Sequence, residues 1–254
     1  MAAYDFRSPR LCVEGALTAG AKLTLDRAQT NYLSNVLRRR AGDPVLLFNG
    51  RDGEWRARIE DAGRKGVSLA VLEQTRPQTA PTDLHYLFAP LKQARLDYLV
   101  QKAVELGVSR LVPVLTRHGQ ISRVNQNRMR TNAIEAAEQC GILAVPEIAA
   151  PLALGRLLAK WVPERLMVFC DEDAPVRDPI GALAEARNTT PAALGPMGVS
   201  VLIGPEGGFS EDERAALVKL PNLVRLSLGP RVLRAETAAV AVLALVQATL
   251  GDWR

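Results

Sequence analysis

The stretch VLIGPEGGFSEDE, residues 201–213, decides the fold. With Val199 and Ser200 before it, Val201-Leu202-Ile203 makes a mostly apolar run of the kind that forms a strand buried on both faces. It runs into Gly204-Pro205-Glu206-Gly207-Gly208, and Ser210 with Glu213 three residues later spells a capping box. Strand, glycine-rich turn and capped helix follow one another without a gap, which is the local grammar of a parallel α/β sheet. Glycines let a backbone approach a ligand closely. The C-terminal end of a strand is where open α/β sheets place ligands. The same residues also fit a tight strand–helix turn that binds nothing.

LSLGPRVLRAETA, residues 226–238, repeats the arrangement: a strand end, Gly229-Pro230, a loop, then a helix. Arg231 and Arg234 lie three apart in that loop, and Glu236 follows two residues later. Arginines at a helix entrance suit an anionic or carbonyl-rich ligand. Their spacing also fits a structural ion network among Arg231, Arg234 and Glu236.

Working outward, strands are predicted at Leu84–Ala89, Leu111–Leu115, Arg165–Cys170, Val199–Ile203 and Val224–Leu228. Helices are predicted at Lys92–Leu106, Arg128–Cys140, Ile180–Arg187, from Ser210 onward, and at Glu236–Leu250. Asn188–Gly198 reads as a loop. The alternation implies a mostly parallel sheet covered on both faces. The residues before Thr79 read differently. Short strand-like runs at Arg10–Glu14, Val45–Asn49, Glu54–Glu60 and Val67–Glu73, with one helix over Arg27–Leu37, suggest a small barrel. Pro77 and Pro81 sit among small and polar residues, so two domains are expected, 1–76 and 77–254.

Charge follows that division. The net charge is +5 over 254 residues, of which residues 1–76 carry +4 and residues 77–254 carry +1. A basic module beside a near-neutral one suits an acidic polymer, although an arginine-rich solvated surface gives the same balance. No apolar run approaches the ~18 residues of a membrane span. The start, MAAYDFRSPRLCVEG, places charges where a signal peptide needs an apolar core, so a soluble intracellular protein is expected. Cys12, Cys140 and Cys170 are scattered, and His85 and His118 are the only histidines, which disfavours a disulfide framework or a zinc site. Dinucleotide-fold, P-loop, zincin and nucleophile-elbow signatures are absent.

IGPEGGFSEDE followed by LSLGPRVLRAETA resembles the paired knot motifs of the SPOUT methyltransferases, and most closely the RsmE-like 16S rRNA (uracil-N3)-methyltransferase family. KQARLDYLVQKAVELGV at 92–108, AIEAAEQCG at 133–141, VPEI at 145–148 and LRRRAGDPVLLFNG at 37–50 are similar to further motifs of that family, in the same order. Two positions depart from its pattern. Ile142 stands where an arginine is usual, and Thr116-Arg117 lacks the acid of S-E-R.

The resemblance implies an α/β SPOUT domain with a C-terminal trefoil knot, preceded by a PUA/OB-like β-barrel that binds RNA. It implies S-adenosyl-L-methionine (SAM), bent and gripped largely by main chain, at Ile203, Gly204, Pro205, Glu206, Gly207, Gly208, Leu228, Gly229 and Leu233, with no metal. The implied reaction is methylation of uridine N3 (the m3U1498 type) in 16S rRNA of the small ribosomal subunit. Arg234 and Arg231 would stabilise charge on the uracil oxygens, and Glu236 or Glu206 would take the proton. Arg7, Arg10, Arg38, Arg39, Arg40, Arg117 and Arg123 would contact RNA. The family works as cytoplasmic homodimers, and helices 92–106 and 236–250 would form either the interface or core. Two alternatives remain at this stage: methylation of a ribose 2′-oxygen, and a non-catalytic rRNA-binding assembly factor.

Overall fold

The computed structural model describes residues 5, 7–63, 66–175, 178–189 and 198–253. The chain packs as two units. One comprises Met1–Ala80 and Ile134–Val145, and the other comprises Pro81–Ala133 and Pro146–Arg254. The division thus falls at Ala80/Pro81, and a distant segment, Ile134–Val145, joins the N-terminal unit, which no local pattern announced.

The N-terminal unit is a curled five-stranded sheet in the order β1-β3-β4-β5-β2. Its strands are β1 (Arg10–Cys12), β2 (Lys22–Thr24), β3 (Pro44–Phe48), β4 (Glu54–Gly63) and β5 (Gly66–Arg76). β1 and β3 are parallel and the other pairs antiparallel. Register shifts at Glu54/Trp55, Arg56/Ala57 and Ile59/Asp61 bend β4 against β5. Val45, Leu47, Ala57, Ile59, Leu69 and Val71 alternate inward and pack with Leu11, Leu17 and Leu33. The single helix expected over Arg27–Leu37 is a short α1 (Arg27–Asn31), capped by the Asp26 side chain, and then a π-turn over Tyr32–Val36.

The core of this unit also holds charge. Arg10 is buried, and its Nε lies 2.7 Å from Glu54 Oε2. Arg76 Nη2 donates to the same oxygen at 2.6 Å, and the Thr75 hydroxyl donates to Oε1 at 2.9 Å. Burial pushes the Glu54 carboxyl up, but the hydrogen bonds from Arg76, Arg10 and Thr75 outweigh it and hold the group below its usual range. The two guanidiniums reach on to the main chain, Arg10 to the Glu138 carbonyl and Arg76 to the Gly141 carbonyl. They thereby secure the segment that sequence order had left far away.

Glu138 itself accepts the Cys12 N–H at 2.8 Å. Burial raises its carboxyl to about 7, the Cys12 bond opposing and Glu135 assisting. Because the folded value lies above the unfolded one, Glu138 favours folding fully below the unfolded value near 4.5, and that contribution is lost as pH rises through 7. Glu138→Gln keeps an oxygen for Cys12 and cannot ionise. Its denaturation midpoint, compared with wild type at pH 5 and pH 8, should gain relative stability at pH 8. Parallel pH curves for the two proteins would refute this.

The second unit is a parallel sheet, β12-β10-β11-β6-β7-β8, with β9 pairing β7. Its strands are β6 (Leu84–Phe88), β7 (Arg110–Leu115), β8 (Glu147–Ile148), β9 (Leu152–Ala153), β10 (Leu166–Cys170), β11 (Val199–Ile203) and β12 (Leu223–Leu226). Every residue of β11 is buried, as its apolar run predicts. The helices are α2 (Gln93–Glu105), α4 (Leu154–Ala159), α5 (Pro179–Thr189), α6 (Glu211–Leu217) and α7 (Ala235–Thr249), while α3 (Gln126–Cys140) begins in this unit and from Ile134 onward belongs to the first. Leu154, Phe209 and Leu217 pack on one side of the sheet with Leu87, Met167, Phe169 and Leu202. α7 packs against β11, α2 and α5. Leu243 and Val246 of α7 are buried within the unit itself, which is the core alternative for that helix. Of the expected loop Asn188–Gly198, residues 190–197 lie outside the described residues.

Candidate functional site

A cavity of about 730 Å³ opens at the C-terminal ends of the three adjacent strands β12, β10 and β11. Each strand end contributes a wall. Asp171 and Glu172 follow β10, the turn Gly204–Glu206 with Gly208 and Phe209 follows β11, and the loop Leu226–Arg234 follows β12. Ala235 and Ala238 of α7 close the side. Of the residues expected to bind a cofactor, Ile203, Gly204, Pro205, Glu206, Gly208, Leu228, Gly229 and Leu233 all line this space. Gly207 does not. It faces the loop after β7, where His118 Nδ1 donates to its carbonyl at 3.0 Å.

The two glycine requirements differ. A Cβ on Gly204 would sit 2.5 Å from the Phe209 ring, which itself meets Phe169 edge-on at 5.1 Å. Gly204 is therefore small for packing behind the cavity wall, not for clearance of a ligand. Gly229 has open space around its missing side chain but a φ of +97°, a conformation that L side chains rarely adopt.

Beneath the cavity, Asp171 is buried and takes Arg225 Nε at 2.6 Å and Arg214 Nη1 at 3.0 Å. These residues carried no recognisable spacing, because they come from β10, α6 and β12. Cys170, also on the wall, has its thiol pushed up to about 12 by burial, with Asp171 adding to the shift, so it stays protonated.

Arg231 and Arg234 are exposed at the cavity wall, and neither enters an ion pair among the described residues. The structural network that their spacing allowed does not form. Glu236 turns instead toward Arg95 of α2, 3.7 Å from Oε2, and that oxygen is buried without a hydrogen-bond donor. Arg95 also lies 2.6 Å from Glu206. Main-chain hydrogen bonding at Glu206 is the largest influence on its carboxyl, and with Arg95 it outweighs burial and holds the group below its usual range. Glu206 is thus a settled anion and a poor proton acceptor.

Two of the expected phosphate contacts are corrected in part. Arg10 is buried on Glu54 and offers no charge to solvent. Arg39 is half-buried and spends one nitrogen on the Arg7 carbonyl. Arg7, Arg38 and Arg40 are exposed. In the second unit Arg117 and Arg123 are exposed, whereas Arg128 of α3 is held by Asp97. The Arg117 main chain donates to Glu213 Oε1, while Oε2 of the same side chain accepts from Ser210. The capping box that starts α6 therefore also fastens the basic loop after β7 beside the Gly204 turn.

The profile of an RNA methyltransferase domain matches residues 78–247, and that of an RNA methyltransferase PUA domain matches residues 25–72. A Rickettsia conorii protein named ribosomal RNA small subunit methyltransferase E is 31% identical over 94% of each chain. The chain belongs to the ribosomal RNA small subunit methyltransferase E family. Among solved members, the Neisseria gonorrhoeae methyltransferase E bound to S-adenosyl methionine is 25% identical with a TM-score of 0.81, over 98% of this chain and 100% of the other. A methyltransferase of Legionella pneumophila in complex with the cofactor SAM is 28% identical with a TM-score of 0.81, over 95% and 98%. Membership accounts for the two-unit layout, since the family pairs a PUA domain with the methyltransferase domain. Among the described residues no cluster could hold a metal ion and no helix is long and apolar enough to cross a membrane.

Proposed function

We propose that this methyltransferase E family member transfers a methyl group from SAM to N3 of one uridine in 16S rRNA of the small ribosomal subunit. The observation that carries the reading is the 730 Å³ cavity behind paired glycine turns, ending at two exposed arginines without ionic partners. Its volume suits a cofactor-sized molecule. Ile203, Leu228, Leu233 and Ala238 offer apolar contact to an adenine, and Glu206 and Glu172 offer anions to the cationic end of SAM. SAM supplies an already activated sulfonium methyl, so the protein's tasks are alignment and one proton. Arg234 and Arg231 neutralise charge that develops on uracil O2 and O4. Glu236, which faces the α2–α7 groove and has a buried oxygen lacking a donor, accepts the N3 proton through water. The uracil reaches this position unpaired, because N3 is covered in a duplex.

The reading includes a trefoil knot through the cavity loops, which would hold Leu226–Arg234 against the Gly204 turn. It also includes a cytoplasmic homodimer. A groove of about 540 Å³ between α2 and α7, with Tyr98, Val240 and Ala241 on its walls, supports those helices as the dimer contact. Exposed Arg7, Arg38, Arg40, Arg117 and Arg123 would carry the RNA backbone.

The test is incubation of the protein and SAM with small-subunit particles and with free 16S rRNA, followed by nucleoside mass spectrometry. 3-Methyluridine at one site is expected. A 2′-O-methyl product would move the function to the ribose, and SAM binding without any product would leave an assembly factor. Gly204→Val gives a second check. Overpacking against Phe209 costs about 1–3 kcal/mol, so SAM affinity by calorimetry should fall about tenfold or more. Unchanged affinity would place the cofactor elsewhere.

A further inference from the structure

Arg95 lies outside every role assigned so far, yet it is the cation that meets both Glu206 on the cavity wall and Glu236 in the α2–α7 groove. Its Nη1 is 2.6 Å from Glu206 Oε1, on the turn after β11, and 3.7 Å from Glu236 Oε2, on the first turn of α7. The two glutamates belong to the two segments that the paired motifs build, and α2 contributes the group between them. The arrangement is unequal. Glu206 has a full charge-assisted contact, whereas Glu236 is 13% exposed and its inner oxygen has a cation within Coulombic reach but no hydrogen. A single guanidinium thus serves a satisfied anion on one side and an unsatisfied one on the other.

We propose that Arg95 is a positioning residue of methyl transfer, a shared counter-ion that holds Glu206 in the cavity wall and orients Glu236 as proton acceptor. Other charged and titratable groups facing the pair are few. Lys92, at the start of α2, adds positive potential at Glu206. His118 touches the neighbouring Gly207 carbonyl, and Tyr98 shares the α2–α7 groove with Arg95 and Glu236. Tyr86, buried on β6, feels the Glu236 charge and has its phenol pushed further up by it, burial being the larger cause. Arg234 lies two residues before Glu236 but forms no ion pair with it. None of these bridges both carboxylates.

The inference rests on the proposed reaction for its meaning, so its test begins with a readout that needs no turnover. Side-chain carboxyl titration by NMR on glutamate-labelled protein, assigned with Glu206→Gln and Glu236→Gln, follows both groups in wild type, Arg95→Gln and Arg95→Lys. Arg95→Gln should raise the Glu206 midpoint, since the hydrogen bond and charge of Arg95 are lost there, and should also move the Glu236 carboxyl resonance, while Arg95→Lys should restore Glu206 but not Glu236. Single-turnover rates then follow, and Arg95→Gln should slow transfer at saturating SAM and RNA by about 10²-fold through misplacement of Glu236, more than it weakens SAM binding. Unmoved midpoints overturn the proposal, and so does a shift confined to Glu206, which would make Arg95 a pin for the turn alone. If wild type makes no 3-methyluridine, the proposed reaction fails while the titration still decides whether Arg95 is the shared counter-ion. Should Arg95→Gln not fold, Arg95→Lys alone still decides, because an ammonium cannot span both carboxylates and the Glu236 resonance must then be the one that moves.

Discussion

Arg234→Lys is expected to slow single-turnover methyl transfer by about 10²–10³ while folding and SAM binding stay close to wild type. Arg234 stands at the N-cap position of α7 with extended backbone, and its side chain makes no capping hydrogen bond. It is exposed at the cavity wall and unpaired among the described residues, so little structure depends on it. In the proposed reaction it would offer a planar fork of donors to the developing negative charge, and loss of one such donor typically costs that factor. Lysine retains the charge and loses the fork. The competing expectation, that Arg234 anchors the loop through Glu236, loses its basis because Glu236 is turned to Arg95. A near-normal rate at saturating SAM and RNA would reject the catalytic role and pass it to Arg231. A fallen melting temperature with lost SAM affinity would instead make Arg234 structural.

Glu54→Gln is expected to cost about 3–5 kcal/mol in the N-terminal unit, the usual result of removing one member of a buried ion cluster. Arg10 and Glu54 side chains are each 4% exposed, and Arg76 is 13% exposed. Without the carboxylate, two guanidiniums remain in a place that water reaches poorly. They also lose the anchor from which they hold the Glu138 and Gly141 carbonyls. Hydrogen exchange at β4 and β5 amides reads the loss locally, with no need for the whole chain to unfold in one step. Glu73→Gln is the matching control. The Arg56–Glu73 pair is mostly solvated, and its loss should stay within about 1 kcal/mol. Equal effects from the two substitutions would show that the Glu54 cluster contributes nothing by being buried. The depressed Glu54 carboxyl adds a pH signature. Its contribution is present above the unfolded carboxyl value and is lost as pH falls through the lower folded value.

Wherever the backbone depends on contiguous residues, the sequence was sufficient. The apolar run Val199–Ile203 and the Ser210–Glu213 capping box are local statements, and each is realised as written. The same holds for Gly229, whose backbone conformation is a property of one residue. β2 and α4 escaped notice because a three-residue polar strand and a six-residue helix carry too few positions to show a period. The π-turn at Tyr32–Val36 escaped because its spacing differs from that of an α-helix by one residue per turn.

Side-chain partnership was not legible, because it depends on distance in space. Arg10 read as a surface cation, but strand alternation and the approach of Glu54 from β4 turned it inward. Arg234 and Glu236 are near neighbours in sequence, yet one remains in solvent while the other meets α2 across the groove. Asp171, Arg214 and Arg225 come from the end of β10, from α6 and from β12, and they meet only because parallel strands deliver their C-terminal ends to one edge. Local backbone preference is short-ranged and can be read along the chain. Burial and ion pairing are set by what the fold brings within about 4 Å, and that is decided only when the sheet has closed.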